Sequence, residues 1–197
     1  MVEQTARTQC GNALNAEADL TGWPEFPAGT TSLVSKYLTK EVWDEYKDEK
    51  DAAGVSFKTC VFSGCKNVDS GIGVYAGSEA AYTQFNKLFD PLIEEYHDGF
   101  KPADKHVSNM NASELDCPAL TGDDAAMIKS TRIRVGRNLA DYPLGPGVTK
   151  AQRDEIMAKV VEACGKFEGD LAGKFYPLEG MSKEDQDQLI ADHFLFK

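Results

Sequence analysis

The apolar periodicity of this sequence changes once along its length, and that change limits the folds open to it. Between Thr39 and Gly99 the apolar residues recur at helical spacing. TKEVWDEYKDEKD opens on a capping Thr39, has Glu41 in its first turn, and sets Val42 and Tyr46 one turn apart. SEAAYTQFNKLF opens at Ser78 and puts Ala81, Phe85, Leu88 and Phe89 on one face; Asp90 and Pro91 then restart a helix through Ile93 and Tyr96 to Gly99. Residues 101–126 carry Pro, Asn, Ser, Gly and Asp with no period and read as a linker. Beyond it MIKSTRIRV has the alternation of a strand, and a loop with Pro143, Gly145, Pro146 and Gly147 follows. A helix then opens on a Thr149/Gln152 capping box with Ile156, Met157, Val160, Val161 and Cys164 on one face. A last helix starts at Ser182, with Asp185 in the box position, and sets Leu189 above His193 and Ile190 above Phe194. The expected class is α+β: a loosely held arm over residues 1–29, a small all-α domain over 30–100, the linker, and a mixed α and β region over 127–197.

Composition narrows the partners. With 42% hydrophobic residues the chain has enough apolar surface for one core or two small ones, and its formal charge of −11 disfavours a nucleic-acid backbone or an anionic membrane. A small anionic ligand stays possible where positive charge is concentrated. No apolar run approaches a membrane span and the first residues lack the apolar core of a signal peptide, so a cytoplasmic setting is expected. Five cysteines form no CxxC pair and three histidines are widely spaced, which indicates neither a zinc site nor a disulfide framework; no metal ligand set is expected.

Such a concentration occurs in IKSTRIRVGR. Ile128, Ser130, Arg132 and Arg134 would share one strand face, with same-side neighbours about 7 Å apart, the spacing of adjacent groups on a polyphosphate. Ile128–Arg137 holds four basic residues and no acid within an acidic chain. A solvated sheet face with exposed arginines is the competing reading. GIGVYAG could pass for a dinucleotide fingerprint, but its third glycine falls one residue late and no convincing strand precedes it.

STRIRVGR resembles the nucleotide-phosphate strand of the phosphagen kinases, the ATP:guanidino phosphotransferases. FPAGTTSLVSKYLTKEVW, NVDSGIGVYAGSEAAYTQFNKLFDPLIEEYHDGF and YPLEGMSKEDQDQLIADHFLF each resemble a further segment of that family, in its order and at roughly its spacing, so the likeness covers about residues 26–197. The resemblance implies that 127–197 begins a catalytic domain built on an antiparallel sheet flanked by helices. It implies that Ser130, Arg132 and Arg134 hold ATP phosphates and that His193 packs on adenine, although His193 read alone is an ordinary helix-face histidine. SGIGVY resembles the guanidino-specificity loop: Ser70, Gly71 and Ile72 would bind the substrate carboxylate through main-chain N–H groups, Gly73 would shape the turn, and Tyr75 would offer its hydroxyl. The absence of side chains at Gly71 and Gly73 is what would let the backbone close on a carboxylate. Asp69 matches a position that pairs with an arginine across the domain cleft.

The loop has the short form seen in arginine kinases and Tyr96 occupies a position where they carry tyrosine, which favours L-arginine; the AG after Tyr75 is closer to creatine kinases, and lombricine, taurocyamine or creatine stay open as substrates. The implied reaction is reversible in-line transfer of the ATP γ-phosphoryl group, with Mg²⁺ on the phosphates, to a guanidino nitrogen, serving energy buffering. Neither the reactive-cysteine motif of the family, nor its acidic pair, nor its later arginines occur here, so no catalytic residue is expected in this sequence. The chain is expected to be the N-terminal half, or slightly more, of such an enzyme and to be inactive alone; a short non-catalytic homologue that binds a polyanion is the rival.

Overall fold

The computed structural model describes residues 19–116, 119–131 and 133–195. The chain divides after Val148 into two compact units. The first contains helices α1 (Leu33–Tyr37), α2 (Lys40–Tyr46), α3 (Phe57–Lys66), α4 (Glu79–Gln84), α5 (Asn86–Tyr96) and α6 (Gly122–Met127). The second contains α7 (Lys150–Cys164) and α8 (Lys183–Ala191).

Side-chain caps start the first three helices, and of these Thr39 is the one the sequence singles out. Ser32, Thr39 and Ser56 accept from the third backbone N–H that follows them, at the heads of α1, α2 and α3. Helix α3 was not singled out by periodicity, yet Ser56 followed by Phe57, Cys60, Val61, Gly64 and Cys65 on one buried side supplies its signal. These helices meet on an aromatic centre. Phe57 lies 5.1 Å from Phe85 and 5.4 Å from Tyr46, ring centre to ring centre, and Trp43 lies 6.4 Å from Phe57, so the rings meet at the tilted angles that aromatic quadrupoles favour. Within the described part of residues 1–29, Leu20 is buried in the same core and Trp23 stands edge-on to Trp43 at 6.3 Å.

The helical break expected at Pro91 lies instead at Phe85, which leaves helical dihedrals at φ −105° and ψ 34°, while Pro91 sits inside α5. An interior proline costs about 3 kcal/mol. Leu88, Phe89 and Leu92 of α5 are all buried, and each such side chain returns about 1.5–3 kcal/mol, so packing outweighs the lost hydrogen bond.

The strand expected over 127–135 does not form among the described residues. Met127 closes α6, residues 128–131 and 133–138 have no regular structure, and an isolated bridge between Lys50 and Ser56 is the one β pairing among the described residues. A strand exists only as a ladder, and no described segment supplies the partner for these N–H and C=O groups. Ile133 and Val135 are consequently 84% and 81% exposed. Arg132 lies outside the described residues.

In the second unit the Thr149/Gln152 capping box forms in both directions, and Ser182 caps α8 through the Asp185 N–H. Helix α8 ends at Ala191, so His193 and Phe194 are not stacked above Leu189 and Ile190 on a helix face. The His193 N–H reaches the Ile190 carbonyl at 3.1 Å and the Phe194 N–H reaches that of Leu189 at 2.9 Å, with His193 at φ +64°. This is a Schellman closure with histidine where glycine is usual.

Three cysteines give a direct check on the packing. Cys60 and Cys65 are buried, and burial pushes both thiols up to about 12, whereas Cys164 is exposed. Peptide mapping after brief alkylation at neutral pH should find Cys164 modified and Cys60 and Cys65 intact until denaturant is added. Early labelling of Cys60 would contradict the packing of α3.

Candidate functional site

Residues 67–76 form a loop that runs from the end of α3 along the head of α1. The Leu33 and Val34 N–H groups donate to the Gly71 and Ile72 carbonyls at 3.0 Å each, and the Gly64 N–H donates to the Gly73 carbonyl at 2.9 Å. The loop therefore uses its carbonyls to hold the scaffold. The amides of Gly71 and Ile72 have no protein acceptor among the described residues. Unclaimed successive N–H groups are the material of an anion nest.

The two glycines differ physically. Gly73 has φ +81°, and a Cβ there would stand 2.7 Å from Val34 Cγ1 and 2.8 Å from Gly64 Cα, so backbone packs directly on backbone. A Cβ on Gly71 would meet nothing within 4 Å. Gly73 locks the loop to α1 and α3, while Gly71 leaves its amide open.

Two side-chain networks hold the surroundings. Asp51, only 5% exposed, accepts the Ala53 and Val55 N–H groups on one oxygen at 2.9 Å each and the Ser78 hydroxyl on the other at 2.8 Å. Ser78 thus heads α4 while donating to Asp51, and it makes no side-chain cap bond to its own helix. Lys36 and Tyr37 both donate to Glu95, tying α1 to α5; these hydrogen bonds, Lys36 first, hold the Glu95 carboxyl below its usual range, and the Glu95 partner raises Lys36 and Tyr37.

Beside the loop lies a cleft of about 350 Å³. It brings together Ile72 and Tyr75 from the loop, Tyr96 and His97 from the end of α5, and Asn138 and Leu144 from a later segment. Tyr75 and Tyr96, which the sequence singled out separately, thus line one space. Asn138 and its neighbours carried no motif, and sequence reasoning did not select them. The remaining candidates stand elsewhere. Asp69 is exposed and has no ion pair among the described residues. Ser130 and Arg134 are exposed on the unpaired segment of the first unit, and His193 is exposed in the second unit.

The described residues contain no helix long and apolar enough to cross a membrane, and no group of three or more His, Cys, Asp or Glu side chains placed to hold a metal.

Residues 29–94 match the family described as ATP:guanido phosphotransferase, N-terminal domain. Over 166 residues the chain is 49% identical to an arginine kinase of Anthopleura japonica, covering 84% of this chain and 23% of that protein. Over 178 residues it is 46% identical to an arginine kinase of Penaeus vannamei, covering 89% of this chain and 50% of that one. A lombricine kinase crystal structure superposes with a TM-score of 0.79 at 34% identity, over 90% of this chain and 48% of that chain. The duplicated taurocyamine kinase of Schistosoma mansoni superposes with a TM-score of 0.62 at 26% identity, over 94% of this chain and 25% of that chain. The chain spans half or less of the length of these curated relatives.

Proposed function

Because the chain belongs to the ATP:guanido phosphotransferase family, we propose that it binds a guanidino substrate and MgATP for reversible transfer of the γ-phosphoryl group, with L-arginine as the substrate, phosphoarginine and ADP as products, and energy buffering as the role. The observation that carries the reading is the cleft in which Ile72 and Tyr75 meet Tyr96 beside the unclaimed Gly71 and Ile72 amides. The amides of Ser70, Gly71 and Ile72 receive the substrate carboxylate, Gly73 holds the turn, and the Tyr75 hydroxyl adds a hydrogen bond. The Ser70 amide donates to the Asn67 carbonyl at 3.2 Å in the structure, so it must exchange that partner for the substrate.

Ser130, Arg132 and Arg134 hold the nucleotide phosphates and His193 packs on the adenine. Asp69 pairs with an arginine across the cleft. Residues 30–100 act as the guanidino domain, 101–126 as a linker, and 127–197 as the first part of a catalytic domain with an antiparallel sheet flanked by helices. Residues 128–131 and 133–138 are exposed and have no regular structure, so their backbone groups are open to a partner strand. Mg²⁺ arrives on the ATP phosphates and neutralises their charge; the chain's own groups align and orient, which is where most of the acceleration of phosphoryl transfer arises. A cytoplasmic setting accords with MgATP as co-substrate.

The test is ADP release by the intact gene product offered L-arginine, lombricine, taurocyamine or creatine at equal concentration. L-Arginine should be preferred by roughly tenfold or more, the scale on which a shaped pocket separates close analogues. Preference for another compound would reassign the substrate, and the absence of guanidino-dependent ADP release with all four would overturn the enzymatic reading.

A further inference from the structure

The cleft beside the specificity loop has a polar lining of unusual kind. Its polar residues are Tyr75, Tyr82, Tyr96, His97 and Asn138, and no Lys, Arg, Asp or Glu lines it among the described residues. Four of the five lie on the loop, α4 or the end of α5. Asn138 comes from the far side of the linker and follows directly on the basic Ile128–Arg137 segment. It is exposed, and no protein group hydrogen-bonds its side-chain amide among the described residues. A carboxamide offers an acceptor oxygen and two donor hydrogens from one neutral group.

The segment that follows Asn138 is held by the fold. The Leu144 N–H donates to the Gly77 carbonyl at 2.8 Å, and the Gly147 N–H donates back to Leu144 at 2.8 Å. A Cβ on Gly147 would stand 2.5 Å from Val55 Cγ2 and 2.8 Å from the Gly77 carbonyl oxygen, and one on Gly77 would stand 2.4 Å from Val55 Cγ1. Val55 is itself positioned by the buried Asp51 carboxylate, which accepts its N–H at 2.9 Å. Residues 144–147 are therefore anchored closely to the scaffold that carries the loop, and Asn138 stands six residues before the first of them.

We infer that Asn138 is a specificity-determining residue whose side-chain oxygen accepts from the α-ammonium group of an amino-acid substrate. The inference rests on the reading of the cleft as the guanidino-substrate site. The ammonium and carboxylate of an α-amino acid share one carbon, so a site for it needs an acceptor within reach of its anion-binding amides. The loop amides supply the donors, and they cannot accept. No carboxylate among the described residues lines the cleft, and Asn138 supplies the acceptor without placing a negative charge beside the bound carboxylate. The cleft would then favour guanidino compounds that carry an ammonium group beside the acid over those that carry the acid alone, such as a guanidino-carboxylate or a guanidino-sulfonate.

The experiment is an NMR-detected titration of the 197-residue chain with L-arginine and with its des-amino analogue, 5-guanidinopentanoate, a method that reads millimolar affinities. The wild-type chain should prefer L-arginine by roughly tenfold, the scale of one hydrogen bond to a charged group. In Asn138→Leu the two affinities should become equal, with that for the analogue unchanged, and Asn138→Asp should restore or enlarge the preference. Thermal melts of both variants should match the wild type, since Asn138 is exposed and its side chain makes no hydrogen bond among the described residues. Absence of preference in the wild type, an undiminished preference in Asn138→Leu, or equal weakening of both ligands would overturn the inference alone. Failure of the wild-type chain to bind either compound would overturn the guanidino-site reading and the inference with it.

Discussion

Gly73→Val should destabilise the first unit by about 3 kcal/mol or more, lowering its melting temperature by roughly 10 °C, while Gly71→Val should leave stability close to wild type. Two costs combine at Gly73. Its φ of +81° is a conformation in which a branched residue is strained by about 1–2 kcal/mol. The added Cβ would also stand 2.7 Å from Val34 Cγ1 and 2.8 Å from Gly64 Cα. Val34 and Gly64 are buried, so neither can yield without moving α1 or α3, and overpacking of this kind costs about 1–3 kcal/mol. A side chain on Gly71 meets nothing within 4 Å of its Cβ, and its effect should fall on ligand binding by obstructing approach to the amide. Calorimetry of the two variants, followed by L-arginine titration of Gly71→Val, separates scaffold from site. Equal melting temperatures for the two would show that the Gly64–Gly73 contact does not hold the loop. Gly71 is thus the better probe of carboxylate binding, because any loss of binding in Gly73→Val would be mixed with loss of fold.

Arg134→Ala should leave the fold intact and remove on the order of 3 kcal/mol of transition-state stabilisation, about a hundredfold in turnover or more, from the intact gene product. The stability half of this expectation follows from the structure: Arg134 is exposed, on a segment without regular structure, and forms no ion pair or hydrogen bond among the described residues. The catalytic half follows from the proposed role, in which a guanidinium fork neutralises charge that grows on the transferring phosphoryl group. The two measurements are a melt and the rate of guanidino-dependent ADP release with saturating MgATP. A normal melt with near-normal turnover would remove Arg134 from the phosphate clamp. Arg134→Lys should recover only part of the rate, because an ammonium group carries the charge without the planar two-pronged donor.

Residue patterns a few positions long are legible in the sequence because the forces behind them act over the same range. Thr39, Thr149 and Ser182 head helices through hydrogen bonds to the third N–H beyond them, and nothing distant is needed to predict that. The motif SGIGVY was legible for the same reason: small residues in a row announce a backbone that must come close to something. What the glycines approach was not legible. Gly73 packs on Gly64 and Val34, contacts fixed only when α1, α3 and the loop converge, whereas Gly71 is open.

The departures share one cause. IKSTRIRVGR alternates as a strand should, yet a strand is a relation between two segments, and no described segment pairs with it. Asp90–Pro91 has the local signature of a helix break, yet burial of Leu88, Phe89 and Leu92 carries α5 through it and the break falls at Phe85, whose ring enters the aromatic centre. His193 sits two residues past the end of α8 in a left-handed closure, although its spacing from Leu189 suggested a helix face. Asn138 belongs to no motif, and its segment meets the cleft where the Leu144 N–H bonds the Gly77 carbonyl, between residues 67 positions apart. The sequence by itself determined the capped starts of α2, α7 and α8, the glycine loop and the basic segment; which glycine bears load, where helices break and which distant residues share a cleft were decided by tertiary packing, because those energies depend on surfaces that exist only after the segments have met.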